Sequence, residues 1–189
     1  IAKHEVNAQV YNQKDNTVSD NKVLASIPID GYSKSGFYQI ATSPDQSKIA
    51  IIANMPFEKN TQEAVKIWVY DNQLNLLWEQ SATLNYESER AYQEELFVLN
   101  SGKVIVNKIT DAFKKTRQTQ LLTFDGKAVE TSIWSSAGFQ PMNMKLVDVN
   151  GKPMMIGFFC NGKNSVVKFN SETGDDTDGA FLYDLEAQN

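Results

Sequence analysis

An acidic cluster near the C-terminus carries the strongest signal for metal binding in this chain. Asp176 and Asp178 alternate ahead of Gly179. Calcium takes several oxygen ligands at alternating positions, with a glycine where the ligand loop turns sharply. Gly174 stands at the first ligand position, so only half of the EF-hand template is present. A solvated turn before a strand is the simpler interpretation, and calcium is the one cofactor that the sequence leaves open.

A second acidic group has the side chains that glycoside hydrolysis requires. It consists of Glu87, Glu89, Glu94 and Glu95. Glycosidases use two carboxyl groups roughly 5–9 Å apart, one as the acid and the other as base or nucleophile. Spacing along the chain does not establish that separation, and clustered charges usually mark a solvated surface. A carbohydrate-active enzyme is therefore kept as an alternative function.

The single histidine and the single cysteine do not form a catalytic set. His4 lies near the start of the sequence, and Cys160 follows an apolar run on a predicted strand. A nucleophilic cysteine needs a basic partner that lowers its pKa, and a lone buried thiol is usually a small hydrophobe. One cysteine cannot form an internal disulfide. We predict no catalytic residue, and no phosphate-binding or dinucleotide-binding motif is present.

Aromatic side chains in polar segments are the best indication of a binding site. Tyr86, Tyr92, Phe113 and Phe139 lie in stretches that we predict to be loops between strands. Exposed aromatic rings in loops stack on sugars or contact peptides. Loop aromatics also pack beneath neighbouring loops, so two interpretations stand: ligand contact and packing between loops.

Bulk composition excludes some classes of partner. The net charge of −5 argues against a nucleic-acid surface, which needs a basic stripe. The apolar fraction of 41% is sufficient for a core, and no apolar run approaches the length that a membrane-spanning helix needs. The ligand itself, whether small molecule, glycan or protein, is left open.

A recurring aromatic–acidic pair gives the architecture that must position these residues. Tyr11-Asn12, Tyr70-Asp71, Phe124-Asp125 and Tyr183-Asp184 each end an apolar, β-rich run, with steps of 59, 54 and 59 residues. Such a period indicates one β-unit repeated, and four antiparallel strands per unit are typical of a propeller blade. Recurrence predicts a structural task for Asp71, Asp125 and Asp184, namely accepting backbone N–H bonds in the turn that follows. Trp78 and Trp134 recur after two of these turns.

The repeat predicts an all-β, antiparallel fold with strands grouped as two, four, four and three. Three hairpins are expected, centred near Gln46, Ser101 and Asn150, because each polar turn is followed by a lysine and a β-branched or apolar run. Ahead of the strand expected at residues 95–99, the segment from residue 85 is predicted to be a loop, with one turn of helix as the alternative. Within one domain we assign residues 1–36 to an incomplete blade, 37–84 and 92–135 to full blades, and 142–189 to a blade without its last strand.

Strand alternation predicts which side chains are buried. The expected core residues are Ile51, Trp68, Tyr70, Val104, Val106, Leu122, Phe124, Ile156, Phe158 and Leu182.

The incomplete end units allow two arrangements. The chain is either a slice of a larger propeller or a closed four-blade ring in which the first N-terminal strand runs beside residues 180–184. We favour the slice. Open strand edges invite pairing, so self-association as a homodimer is expected.

Two segments resemble a known group of sequences. Residues 43–49 fit S-x-D-x-S-K-I and residues 69–78 fit V-[FY]-D-x-x-L-x-x-x-W. With the later pieces at 157–159 and 179–182, the chain is similar to uncharacterised exported Bacteroidetes proteins over about residues 38–184. The resemblance implies a periplasmic or extracellular propeller-like protein, with a signal peptide and further chain outside this sequence. It brings no activity and no catalytic residues.

We therefore predict a non-catalytic ligand- or protein-binding module of the bacterial cell envelope. The alternative is an envelope carbohydrate-active enzyme that uses loop carboxylates.

Overall fold

The structure is a computed structural model that describes residues 2–29, 36–56, 60–87, 91–110, 118–133, 139–150, 152–161 and 178–184. Throughout these ranges the regular structure is β-strand and all strand pairs are antiparallel. The predicted all-β, antiparallel class is confirmed.

Fifteen strands are seen in the described ranges. They are β1 (Ala2–Ala8), β2 (Tyr11–Asn12), β3 (Thr17–Val18), β4 (Lys22–Ile29), β5 (Phe37–Thr42), β6 (Lys48–Asn54), β7 (Gln62–Asp71), β8 (Leu76–Glu87), β9 (Ala91–Val98), β10 (Val104–Thr110), β11 (Gln118–Phe124), β12 (Val129–Ile133), β13 (Phe139–Val149), β14 (Lys152–Asn161) and β15 (Asp178–Asp184).

These strands form four sheets and a short ribbon. Sheet 1 pairs β1 with β4, sheet 2 runs β5-β6-β7-β8, sheet 3 runs β12-β11-β10-β9 and sheet 4 runs β13-β14-β15, while β2 and β3 form the ribbon. The main sheets therefore hold two, four, four and three strands, which is the predicted grouping. In the N-terminal unit β1 carries a bulge between Val6 and Asn7, and the strand breaks after Ala8, so that β2 pairs with β3 instead of β4.

Turn chemistry explains the three hairpins. Gln46, Gly102 and Asn150 have φ values of 59°, 87° and 55°, so each chain reversal uses a left-handed residue. Glycine adopts this conformation without strain, and asparagine tolerates it better than most residues. The hairpins join β5 to β6, β9 to β10 and β13 to β14, as the sequence predicts.

Successive sheets pack face to face. One apolar cluster fills the layer between sheets 1 and 2, with Ile27 from one side and Ile51 from the other. The largest cluster lies between sheets 2 and 3 and includes Ile67 and Phe124. A third cluster, which contains Met155, lies between sheets 3 and 4. Sheets 2 and 3 are thus covered on both faces, which explains why their strands are apolar at consecutive positions.

Most of the predicted core residues are buried in the structure, and one of them is exposed. Ile51, Trp68, Tyr70, Val104, Val106, Leu122 and Phe124 are all buried. Ile156 is wrong, since it is 42% exposed while its neighbour Met155 is fully buried. Met155, like Ile51 and Val106, is the third residue after the hairpin lysine and faces the preceding sheet. Ile156 points to the opposite face, which no described sheet covers. The side chains of Phe158 and Leu182 lie outside the described residues.

The loop predicted between residue 85 and the strand at residues 95–99 is also corrected. Strand β8 extends to Glu87, and β9 already begins at Ala91. The alternation Ala82, Leu84, Tyr86 continues the buried face of β8, so packing against sheet 3 prolongs the strand to Glu87.

The two end strands do not pair with each other in the described part of the chain. Strand β1 pairs with β4, and β15 pairs with β14. A ring closed by a β1–β15 pair is therefore not observed, and the predicted self-association stays a prediction.

Candidate functional site

The first strands of three sheets enclose a cleft. Strands β5, β9 and β13 lie next to one another at corresponding edges of sheets 2, 3 and 4. A cleft of about 640 Å³ opens between them. Its walls are formed by Gln39, Ile40, Thr42, Ser43, Pro44, Gln46, Glu95, Leu96, Phe97, Val98, Lys145 and Leu146.

The backbone of β5 presents an open edge to this cleft. The Ser43 N–H donates to the Lys48 carbonyl at 3.0 Å, which makes these two residues a hydrogen-bonded pair of the hairpin. Hydrogen-bonded and non-bonded pairs alternate along an antiparallel ladder. Gln39 and Ala41 therefore bond to β6, while the backbone groups of Ile40 and Thr42 point away from it, towards the cleft.

Strand β9 repeats this arrangement on the opposite wall. The Leu99 N–H donates to the Lys103 carbonyl at 2.9 Å, so the same alternation directs the backbone groups of Leu96 and Val98 away from β10. Both residues line the cleft. The site is thus a groove between two sheet edges.

The side chains of the cleft are of mixed character. Ile40 is 57% exposed, and the exposed Lys145 and half-buried Glu95 supply one charge of each sign. Gln39, Thr42 and Gln46 add amide and hydroxyl groups. Among the described lining residues the aromatic one is Phe97, which is only 7% exposed and packs into the layer between sheets 3 and 4. The described walls offer hydrogen bonds and aliphatic surface, without an exposed ring.

A buried ion pair forms a second polar feature, away from the hairpin turns. The Lys108 ammonium donates to Glu63 Oε1 at 2.5 Å, with the two side chains 2% and 9% exposed. Asn54 Oδ1 lies 3.5 Å from the same nitrogen. The pair links β10 of sheet 3 to β7 of sheet 2. Burial lowers the pKa of Lys108, and the Glu63 carboxylate opposes that shift.

Tyr86 lies close to this ion pair, which corrects its predicted place. It belongs to β8 rather than to a loop, and it packs against the core between sheets 2 and 3. Its hydroxyl is buried without a hydrogen-bond partner among the described residues, as is Glu63 Oε2. Burial, reinforced by the Glu63 charge, raises the pKa of Tyr86. The structure thus places this ring against the core and outside the described lining of the cleft.

Two of the other predicted aromatic contacts lie in strands. Tyr92 lies in β9 and Phe139 begins β13, so these two residues also belong to strands rather than to the predicted loops. Their side chains and the whole of Phe113 lie outside the described residues. Ligand contact by these three stays a prediction.

Most of the predicted acidic sites fall on undescribed parts of the chain. Asp176 and Glu89 lie outside the described residues, as do the side chains of Asp178, Glu87 and Glu94. In the described part of the chain, no three His, Cys, Asp or Glu side chains are grouped to hold a metal ion. Glu95 is the one of the four glutamates that the structure places at the cleft.

The recurring aspartates organise turns. The Asp71 carboxylate accepts hydrogen bonds from the N–H groups of Gln73 and Asn75 at 2.8 and 2.9 Å. Asp125 accepts from the N–H groups of Lys127 and Ala128, both at 2.9 Å. This is the turn geometry that the recurrence led us to expect. The side chain of Asp184 lies outside the described residues.

Trp78 connects two sheets at these turns. Gly126 has a φ of 89°, and a Cβ placed there would meet the Trp78 side chain at 3.0–3.2 Å. Gln80 Oε1 accepts from the Gly126 N–H at 3.0 Å. The recurring tryptophan thus packs on the glycine turn of the next sheet. The other one, Trp134, lies outside the described residues.

We expect the Asp71 turn to make stability sensitive to acid. The Asn75 side-chain amide and then its N–H lower the pKa of Asp71 below 3.8. Because the folded-state pKa is the lower one, the stabilisation is present above the unfolded-state pKa and is lost as pH falls through the folded-state value. Asp71→Asn should therefore lose less stability than the parent between about pH 5 and 2, measured by urea unfolding.

Asp20→Asn is the matched control, because the Asp20 carboxylate makes no hydrogen bond to the described residues. The loss of stability that Asp20→Asn shows at low pH should match that of the parent. An Asp71→Asn variant as acid-sensitive as the parent would contradict the assigned role of the carboxylate.

Sequence reasoning missed the strongest features of both polar sites. Lys145 and Gln39 had no motif around them, and the pairing of Lys108 with Glu63 joins residues 45 positions apart. One signal was present, since Asn107 and Lys108 interrupt an otherwise β-branched run in Val104–Thr110. A lysine inside a buried strand requires a counter-charge.

No family model, curated protein or solved structure matches the chain. In the described residues, no helix is long and apolar enough to cross a membrane.

Proposed function

We propose that this protein is a non-catalytic binding module of the bacterial cell envelope whose ligand occupies the cleft between β5, β9 and β13. The observation that carries the proposal is the groove itself, in which two sheet edges present outward-directed backbone groups beside an exposed isoleucine. Such a groove provides both hydrogen-bonding capacity and apolar contact, which are the requirements for a binding site.

A propeller-like arrangement is part of the proposal. Propellers place four-stranded antiparallel sheets radially, with their first strands around a central channel. The face-to-face stacking of sheets 1 to 4, with β5, β9 and β13 beside one another, supports it. The cleft would then be a section of that channel. The cell-envelope location is supported by the resemblance to exported proteins alone.

The alternative function, a carbohydrate-active enzyme, has one supporting observation. Glu95 lines the cleft, and glycosidases require carboxyl groups at the bound sugar. The described walls supply this single carboxylate, whereas the mechanism needs two. Binding therefore has more support than catalysis.

A ligand screen tests the proposal. Glycans, metabolites and linear peptides would be added to the whole chain in a thermal-shift assay, and cleft ligands should raise the midpoint because they bind the folded state only. Ile40→Lys should abolish the shift of a cleft ligand without lowering the intrinsic midpoint, since the side chain is already 57% exposed.

Val18→Lys is the matched control, because Val18 is also 57% exposed but lies on the β2–β3 ribbon. It should leave the ligand shift unchanged. The proposal fails if every ligand that shifts the midpoint still does so in Ile40→Lys. Release of sugar from a bound glycan would instead establish the enzymatic alternative.

A further inference from the structure

We infer that the ligand of the cleft is an extended peptide segment that pairs, strand to strand, with the open edge of β5. This inference rests on the proposed function and specifies its ligand class. It concerns backbone recognition, in which an added strand completes a sheet edge.

The hydrogen-bonding pattern of β5 supports this inference. The outward backbone groups of Ile40 and Thr42 belong to the non-bonded pairs with Ile51 and Ile49. Among the described residues neither has a backbone partner on the cleft side. An extended peptide offers N–H and C=O groups at the same two-residue repeat, so it can satisfy both positions together.

The accessibility of this edge has a structural cause. Ile40 and Ile51 are cross-strand partners on the same face of sheet 2, yet Ile51 is fully buried and Ile40 is 57% exposed. Sheet 1 covers that face and has two strands in the described ranges, whereas sheets 2 and 3 have four. Sheet 1 reaches Tyr38 of β5, whose hydroxyl donates to the His4 carbonyl at 2.9 Å, but its cover ends before Ile40. The side chain of Ile40 is exposed for this reason, and its backbone edge is open because β5 is the first strand of sheet 2.

The opposite wall has the features that a bound peptide strand needs. Leu96 contributes aliphatic surface, while Glu95 and Lys145 contribute opposite charges. Successive side chains of an extended peptide point to opposite sides, so alternate residues would meet this wall. The described walls hold no exposed aromatic ring for sugar stacking and a single cation, Lys145, for phosphate. Backbone pairing is therefore favoured over glycan or nucleotide binding.

The first experiment uses a linear 12-residue peptide library displayed on phage, selected against the whole chain. The tightest peptide is then synthesised with a single N-methyl group at each backbone position in turn. Strand pairing predicts a period of two, with about tenfold weaker binding at alternate positions and little change between them. The unaffected positions are the internal control for the affected ones.

The second experiment measures amide hydrogen exchange of the protein with and without that peptide. The N–H groups of Ile40 and Thr42 should exchange about tenfold more slowly in the complex, because they gain hydrogen bonds. Gln39 and Ala41, which already bond to β6, should change less. Alternation within a single strand distinguishes edge pairing from general stabilisation.

Each outcome has a defined meaning. A period of two in the peptide together with slowed exchange at Ile40 and Thr42 supports the inference. A peptide that binds without both effects overturns it. If no peptide is selected and a glycan or metabolite gives the Ile40-dependent shift described above, the inference fails while the proposed function stands. If no ligand gives that shift, both fail.

Discussion

Replacing Lys108 by methionine is expected to lower the free energy of unfolding by about 3–5 kcal/mol. The ammonium is buried against Glu63, and its removal leaves the carboxylate in the layer between sheets 2 and 3 with no opposite charge. A buried charge without a partner retains its full desolvation cost, whereas methionine restores most of the lost volume. Urea unfolding followed by circular dichroism measures the difference.

Two further variants make this result specific. Lys66→Met removes the exposed ion pair with Glu79, whose side chains are 32% and 50% exposed, and should cost at most about 1–2 kcal/mol. The double variant Lys108→Met with Glu63→Leu should recover most of the loss, since two apolar side chains replace the whole pair. A Lys108→Met effect no larger than that of Lys66→Met would show that the pair is hydrated.

Replacing Phe124 by alanine is expected to cost about 3–5 kcal/mol. The ring is fully buried in the cluster between sheets 2 and 3, opposite Val104 in the ladder. The substitution removes the ring and leaves a cavity that the flanking sheets cannot close, because both are hydrogen-bonded ladders. Chemical denaturation again gives the value, provided that unfolding is two-state.

The same substitution at Phe37 is the matched control. Phe37 starts β5 and is 53% exposed, so Phe37→Ala should change stability by less than about 1 kcal/mol. Similar effects at the two positions would contradict the assignment of Phe124 to a packed interface.

Local chemistry in the sequence determined the strands and their turns. Alternating β-branched runs bounded by residues such as Gly102 and Asn150 predicted the hairpins, because turn conformation depends on the residues within the turn. Recurrence of Asp71 and Asp125 predicted their hydrogen bonds for the same reason. The third residue after the hairpin lysine is buried in each of three successive sheets. The repeat therefore also specified which strand positions face the preceding sheet. Ile156 was placed wrongly because the prediction departed from that register by one residue.

Only the tertiary structure decided which residues meet. Glu95 and Lys145 line one cleft with Gln39 because three sheets stack with their first strands adjacent, and no local pattern specifies that stacking. The Lys108–Glu63 pair joins strands of different sheets. Tyr86 packs against the core because sheet 3 covers its face of β8. Exposure of Ile40 depends on where sheet 1 ends. Burial and side-chain proximity depend on the packing of whole sheets, whereas turns and strands depend on neighbours along the chain. The sequence by itself therefore determined the β-repeat, and the packing of the sheets decided the cleft.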